Sequence, residues 1–184
     1  MGAAEAAYPG AAAAAAVYLQ SVLKRSETMN GAIIYRRMQA GEETIVCAMI
    51  ERCFQTFVAP GYAPEGVQEF LAYASPEPMA ERVRGGSFVL VAESGGVVAG
   101  MIEMRDHDHV SLLFVDAAFM RRGISRELLR RALDICRAAR PDLQVVTVNS
   151  SPYAVPVYER LGFYVLSPEQ ETNGIGYTPM ALPL

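Results

Sequence analysis

The chain has 184 residues, of which 52% are hydrophobic and 20% are charged, and its net charge at neutral pH is −4. This length and composition predict a folded domain large enough to bury a core of its own. The negative charge argues against a protein that binds nucleic acid through bulk attraction. No apolar run reaches the roughly 18 residues that a membrane-spanning helix requires, so no membrane partner is expected.

The cysteines and histidines of the sequence indicate in which cellular compartment the protein functions and whether it can bind a metal. The three cysteines, Cys47, Cys53 and Cys136, contain no C-x-x-C pair and are odd in number. They predict a cytoplasmic protein with buried, reduced thiols. The two histidines, His107 and His109, cannot be written into any zinc-binding spacing, so we expect no metal site.

Residues 1–28 differ in composition from the rest of the chain, because they include the alanine tract Ala11–Ala16. Alanine favours helix, so this segment is expected to be an N-terminal extension that is either helical or disordered. Glu5 precedes the apolar run, where a secretory signal would carry basic residues. The domain itself is predicted to occupy residues 29–184.

The first half of the domain is predicted to contain one strand, three helices and then three antiparallel strands. Apolar residues recur at helical spacing in 42–57, and a loop rich in proline and glycine follows at 60–64. Ser94-Gly95-Gly96 is typical of a hairpin turn. The predicted strands are 32–37, 88–92, 97–104 and 109–115, and the predicted helices are 42–57, 65–74 and 76–84.

The second half is predicted to alternate strand and helix. Residues 123–139 have a clear apolar stripe and polar residues elsewhere, as in an amphipathic helix. Ser151 and Pro152 are typical of a helix start and Gly162 of a helix end. The predicted strands are 144–148, 163–166 and 175–182, and the predicted helices are 123–139 and 152–161. These elements predict an α+β fold with a single mixed, mostly antiparallel sheet of about seven strands and helices on both faces.

Two segments place polar groups where a strand ends and a helix begins. The first is Leu113-Phe-Val-Asp-Ala-Ala-Phe-Met-Arg-Arg-Gly-Ile-Ser-Arg-Glu-Leu-Leu129. The free N–H groups and the dipole of a first helical turn attract phosphate, and Gly123 allows close approach to the backbone. Taken alone, such a loop is more typical of an ordinary solvated helix cap. The second segment is Asn149-Ser-Ser-Pro-Tyr-Ala-Val-Pro-Val-Tyr-Glu-Arg-Leu-Gly-Phe163.

Together these segments resemble the two cofactor-binding motifs of the GNAT superfamily of acyl-CoA-dependent N-acetyltransferases. The resemblance covers roughly residues 29–184 and is specific in the second segment. The first segment departs from the family pattern, because Met120 replaces a glutamine or arginine and Ser125 replaces a glycine or alanine. The resemblance implies that acetyl-CoA is the acyl donor. It also implies that the acetyl group passes directly to a primary amine in a ternary complex.

The same resemblance assigns roles to individual residues. Tyr158 would protonate the departing thiolate, which suits a hydroxyl with a pKa of about 10; a buried structural tyrosine is the alternative, and Tyr153 is a competitor for the role. Asn149 would contact the pantetheine arm, and Val115 would act through its backbone. The complete set of residues expected to bind the donor is Phe114, Val115, Met120, Arg121, Arg122, Gly123, Ile124, Ser125, Asn149 and Tyr158.

The sequence offers two side chains as candidates for the base that deprotonates the amine, and water is the alternative to both. Strict alternation along the predicted strand 109–115 puts His109 on the same face as Val115. A ring with an ordinary pKa of about 6.5 suits proton transfer, although a solvated strand end is an equal alternative. Glu103 on the neighbouring strand is the second candidate.

The acceptor is expected to be a small amine or a peptide, bound between 57–64 and 169–177 by analogy with the family. Glu169 and Glu171 are candidates for attracting a cationic acceptor. A homodimer is compatible with the sequence but not indicated by it. An alternative from another functional class is a non-catalytic module that binds or senses acyl-CoA, which the residues Met120 and Ser125 keep open.

Overall fold

The computed structural model describes residues 31–184, so the predicted extension 1–28 and the predicted domain start at residue 29 lie outside the described residues. The strands are β1 (Ile34–Arg37), β2 (Phe88–Ser94), β3 (Val97–Arg105), β4 (His109–Val115), β5 (Val145–Ser150), β6 (Tyr164–Val165), β7 (Gln170–Thr172) and β8 (Ile175–Pro183). Within residues 31–184 they form one sheet in the order β1-β2-β3-β4-β5-β8-β6, with β7 paired to β8 off this path. The pairing of β4 with β5 is parallel, and the neighbouring pairs β3–β4 and β5–β8 are antiparallel. The expected α+β fold is therefore confirmed.

Helices cover both faces of the sheet, as predicted. They are α1 (Glu43–Phe57), α2 (Pro64–Tyr73), α3 (Pro76–Arg84), α4 (Ile124–Ala139) and α5 (Val155–Arg160). The face of α4 and α5 has an apolar core that includes Leu128, Val146 and Tyr158. The face of α1–α3 has a second core that includes Ile50 and Met101. No helix in the described part of the chain is long and apolar enough to cross a membrane.

The centre of the sheet opens between β4 and β5. These two strands pair at two positions only, where His109 lies opposite Thr147 and Val110 lies opposite Val148. Beyond these pairs the ladder is not continued, although each strand stays bonded to its other neighbour. A gap between two central strands leaves backbone and side chains of both available to a ligand.

A β-bulge in β4 lies just before this gap. Glu103 of β3 pairs with Leu112, whereas the next residue, Met104, pairs with Val110. Ser111 is therefore the extra residue of the bulge, and the inward and outward alternation of β4 is displaced by one position there. This displacement decides which side chains of β4 face the gap.

The hairpin of β7 and β8 adds a strand where the sequence predicted only a polar loop. Its turn contains Asn173 and Gly174, which both have positive φ angles, 53° and 74°. The turn packs against the start of α2 at Gly66, where an added Cβ would overlap the backbone carbonyl of Gly174. Glycine at position 66 is thus required for α2 and the hairpin to touch.

Candidate active site

The gap between β4 and β5 is part of a cavity of about 850 Å³ that passes through the plane of the sheet. The turn before α4 and residues of α5 line it on one face. Residues of α1, α2 and the β7–β8 turn line it on the other face. We call the part beside α4 and α5 the donor half and the part beside α1 and α2 the acceptor half.

The donor half is built around the turn between β4 and α4. Asp116 stabilises the start of this turn, because its Oδ1 accepts a hydrogen bond of 3.0 Å from the amide of Ala118. Arg121 and Gly123 then take positive φ angles of 61° and 76°, and Gly123 is the N-cap of α4. A Cβ at Gly123 would meet no protein atom within 4 Å. The space beside its backbone is therefore free for a ligand, and the first amides of α4 are a favourable place for phosphate.

Most residues of this turn that the sequence singled out line the cavity. The set is Met120, Arg121, Gly123, Ile124 and Ser125, together with Arg126, which the sequence reasoning missed. Arg122 is not in the lining. Its guanidinium donates a hydrogen bond of 3.3 Å to the carbonyl of Gly31 and lies 5.5 Å from the ring centroid of Phe119. The structure therefore directs Arg122 towards the protein rather than into the cavity.

Tyr158 and Asn149 line the same cavity from the side of β5 and α5. The Tyr158 side chain is 6% exposed and packs edge-on against Phe163, with ring centroids 5.2 Å apart. Burial raises the pKa of the Tyr158 hydroxyl, so the group stays protonated at neutral pH. Phe114 and Val115 complete the lining from β4, where the Val115 carbonyl accepts a weak bond of 3.5 Å from the Cys53 thiol.

His109 lies away from these residues, and the expectation that it shares a face with Val115 is wrong. Val110 and Val115 both pack on the core beneath α4, because the bulge lies between them, so His109 faces the opposite side of the sheet. Its Nδ1 is 2.8 Å from the hydroxyl of Thr147, and it is not among the lining residues. Burial and, secondarily, the charge of Arg105 lower the pKa of His109. The ring is therefore mainly neutral at pH 7 and held in a structural contact.

Glu103 is also outside the cavity lining, contrary to its role as a candidate base. It is completely buried, and both of its carboxylate oxygens accept hydrogen bonds from Arg82, at 2.7 and 3.0 Å. The same guanidinium donates a 2.7 Å hydrogen bond to the backbone carbonyl of Tyr73 and lies 3.8 Å from the centroid of the Tyr73 ring. Since Tyr73 lines the cavity, the ion pair supports one wall from behind.

The acceptor half is mainly aromatic. The predicted walls 57–64 and 169–177 do contribute to it, through Phe57, Tyr62 and Tyr177 among others. Glu169 and Glu171 are absent from the lining, whereas Glu69 on α2 is present. Burial, with a smaller effect from Glu169, raises the pKa of Tyr62 to about 12.

Ser111 is a lining residue that the sequence reasoning did not single out as a site. Its hydroxyl oxygen is buried and makes no hydrogen bond to protein, the one such side-chain atom in the described part of the chain. An unpaired buried hydroxyl is unfavourable, so its presence next to a cavity suggests a ligand-facing role. The signal in the sequence was a serine inside an otherwise apolar strand, but its placement depends on the bulge.

Comparison with known proteins identifies the family to which this architecture corresponds. Residues 58–184 match the acetyltransferase (GNAT) domain family. An uncharacterized N-acetyltransferase of Escherichia coli K12, YafP, is 28% identical over 145 residues, which cover 78% of this chain and 89% of that protein.

Solved acetyltransferase structures share this fold. A GCN5-related N-acetyltransferase from Rhodopseudomonas palustris superposes with a TM-score of 0.68 at 23% identity, covering 84% of this chain and 96% of that one. PaiA N-acetyltransferase from Thermoplasma acidophilum, solved in complex with coenzyme A, superposes with a TM-score of 0.67 at 16% identity. The match covers 83% of this chain and 99% of that one.

Proposed function

Because the chain belongs to the GNAT family of N-acetyltransferases, we propose that it transfers an acetyl group from acetyl-CoA to a primary amine in the cavity between β4 and β5. Both substrates bind at the same time, the donor on the α4–α5 face and the amine on the α1–α2 face. The observation that carries the proposal is the cavity itself, since it is lined both by the glycine turn before α4 and by Tyr158.

The residues of the donor half fit a bound CoA. The amides at the start of α4 face the pyrophosphate, and Arg121 and Arg126 add positive charge at the same end of the cavity. Met120 offers no hydrogen bond, so binding there depends on main chain. Asn149 binds the pantetheine arm, at the strand end where β5 no longer pairs with β4. The coenzyme A in the T. acidophilum PaiA structure supports this choice of donor.

Tyr158 acts as the general acid in the proposed transfer. The bound donor supplies an acetyl group activated as a thioester; the amine nitrogen forms a bond to its carbonyl carbon, and the carbon–sulfur bond breaks. Tyr158 gives its proton to the departing sulfur, and its raised pKa ensures that the hydroxyl carries this proton before the reaction. The amine loses a proton to water. Neither His109 nor Glu103 is assigned as base, since both lie outside the lining.

The experiment that tests this proposal measures acetyl-CoA binding by calorimetry and thiol release with a panel of primary amines. The wild-type protein should bind acetyl-CoA and release thiol only when an amine is present. Gly123→Glu should abolish binding, because a carboxylate would occupy the space beside the first turn of α4. Tight binding without transfer to any amine would instead favour a non-catalytic acyl-CoA module. Unchanged affinity in a folded Gly123→Glu variant would remove the donor assignment.

A further inference from the structure

Six aromatic side chains line the acceptor half of the cavity, and two of them come from α2. They are Phe57, Tyr62, Phe70, Tyr73, Tyr153 and Tyr177. Aromatic rings at a binding surface present a large apolar area and lose little conformational entropy on binding. Such a wall is suited to an apolar or aromatic body rather than to an extended polar chain.

Several of these rings are held in place by contacts with other side chains, so this part of the wall is formed before any ligand arrives. Phe57 and Tyr153 are stacked with centroids 5.4 Å apart. Phe70 is stacked on the fully buried Phe54 at 3.9 Å. The Tyr177 hydroxyl donates a 3.2 Å hydrogen bond to the side-chain carbonyl of Gln170. A wall fixed in this way binds without the entropic cost of ordering its side chains.

The charges that line the cavity are divided between its two halves. The arginines of the lining, Arg121, Arg126 and Arg160, belong to the turn before α4 and to α5. Among the described residues, the one acidic side chain in the lining is Glu69, on α2. The acceptor half therefore offers a carboxylate to one cationic group. A second cation on the same ligand would find no acidic side chain among the described residues of the lining.

From this arrangement we propose that the acceptor is a monoamine attached to an aromatic or bulky apolar body. The rings bind the body, and Glu69 attracts the ammonium group at the entrance before it loses its proton. Polyamines, aminoglycosides and lysine-rich peptides are excluded as preferred acceptors by their several cations. This inference rests on the proposed function, since it specifies the amine that the transferase accepts.

The test compares three amines with the full-length protein at a saturating concentration of acetyl-CoA. Thiol release is followed with 2-phenylethylamine, butylamine and spermidine. Each methylene-sized group buried in an apolar site is worth about a fourfold gain, so kcat/KM should be at least about tenfold higher for 2-phenylethylamine than for butylamine or spermidine. Equal or better turnover of butylamine or spermidine overturns the acceptor class but leaves the transferase function intact.

Matched tyrosine variants distinguish the effect of losing an aromatic ring from the cavity wall from a general effect on the fold. Tyr153 and Tyr164 are 49% and 51% exposed, and of the two only Tyr153 lines the cavity. Tyr153→Ala should reduce the preference for 2-phenylethylamine over butylamine by about fivefold, the order of one lost ring contact, whereas Tyr164→Ala should leave it unchanged. Glu69→Gln should lower kcat/KM for both amines to the same degree. The same loss of preference in both tyrosine variants would contradict the proposal.

An equilibrium measurement keeps the acceptor class and the transfer reaction distinguishable. The protein is saturated with coenzyme A, and the dissociation constants of 2-phenylethylamine and butylamine are measured by calorimetry. Binding of 2-phenylethylamine about tenfold tighter than butylamine supports the aromatic acceptor half even if no acetyl transfer is detected, a result that would refute the proposed function alone. Equal affinity for the two amines refutes the acceptor class.

Discussion

Replacing Tyr158 with phenylalanine should remove proton transfer to sulfur while preserving the structure around it. The ring is 6% exposed and contacts Phe163 edge-on at 5.2 Å, and both features are retained by phenylalanine. Among the described residues, no protein group forms a hydrogen bond with the Tyr158 hydroxyl. The variant therefore loses no internal hydrogen bond, and its free energy of unfolding should change by less than about 1 kcal/mol.

The expected kinetic effect is much larger than the structural one. Loss of a positioned general acid lowers turnover by about 10²–10⁴-fold, which corresponds to roughly 3–5 kcal/mol in the activation barrier. The interaction strengthens as the sulfur gains charge, so kcat should fall and KM should change little. Because burial raises the pKa of Tyr158, wild-type kcat should not decline through ionisation of this group between pH 7 and about 9.5.

The assay follows thiol release by wild-type protein, Tyr158→Phe and the control Tyr153→Phe, with urea unfolding and acetyl-CoA calorimetry on each. Tyr153 lines the cavity but is half exposed, so its hydroxyl should be dispensable. Full activity in Tyr158→Phe would show that solvent protonates the sulfur. Loss of activity in Tyr153→Phe alone would mean that the catalytic tyrosine lies one turn earlier in the chain.

Three other substitutions give outcomes fixed by the same structure. His109→Gln should leave the pH profile of kcat/KM unchanged, because the ring contacts Thr147 outside the cavity. A decrease of kcat/KM confined to neutral pH would show that His109 acts as the base. Glu103→Gln should lower the free energy of unfolding by about 3–5 kcal/mol, since it leaves the partly buried Arg82 without its charge partner; a loss below about 1 kcal/mol in urea unfolding would show that the pair contributes little. Ser111→Ala should raise the free energy of unfolding by about 1 kcal/mol and lower turnover about fivefold; increased stability with full activity would mean that the hydroxyl has no ligand.

Local sequence predicted the elements that depend on local patterns. The strand at 109–115 is found at the predicted bounds, and the helix predicted at 123–139 is Ile124–Ala139 with Gly123 as its cap. Its apolar stripe and its flanking glycine and proline are features of the segment itself. The glycine turn, Asn149 and Tyr158 were grouped by the resemblance to the GNAT motifs rather than by local pattern, and all three line one cavity.

The errors arose where structure depends on a partner elsewhere in the chain. The bulge at Ser111 is a property of the register between β3 and β4, and it reversed the face assigned to His109. Glu103 looked like an available carboxylate because Arg82, its partner, is 21 residues away in the sequence. The strand β7 consists of three exposed residues and has no apolar pattern to reveal it. The catalytic and binding roles of the lining residues remain predictions.

The close approach of Gly66 to Gly174 has a consequence for engineering this protein. Helix α2 supplies Glu69, Phe70 and Tyr73 to the acceptor half, and the β7–β8 turn lies directly against the helix start with no room for a side chain between them. The two segments are therefore exchangeable between homologous enzymes only as a pair. A chimera whose new α2 has any residue other than glycine at position 66 would bring a Cβ against the backbone carbonyl of Gly174. Recombination aimed at new acceptors should cut the chain outside residues 64–177.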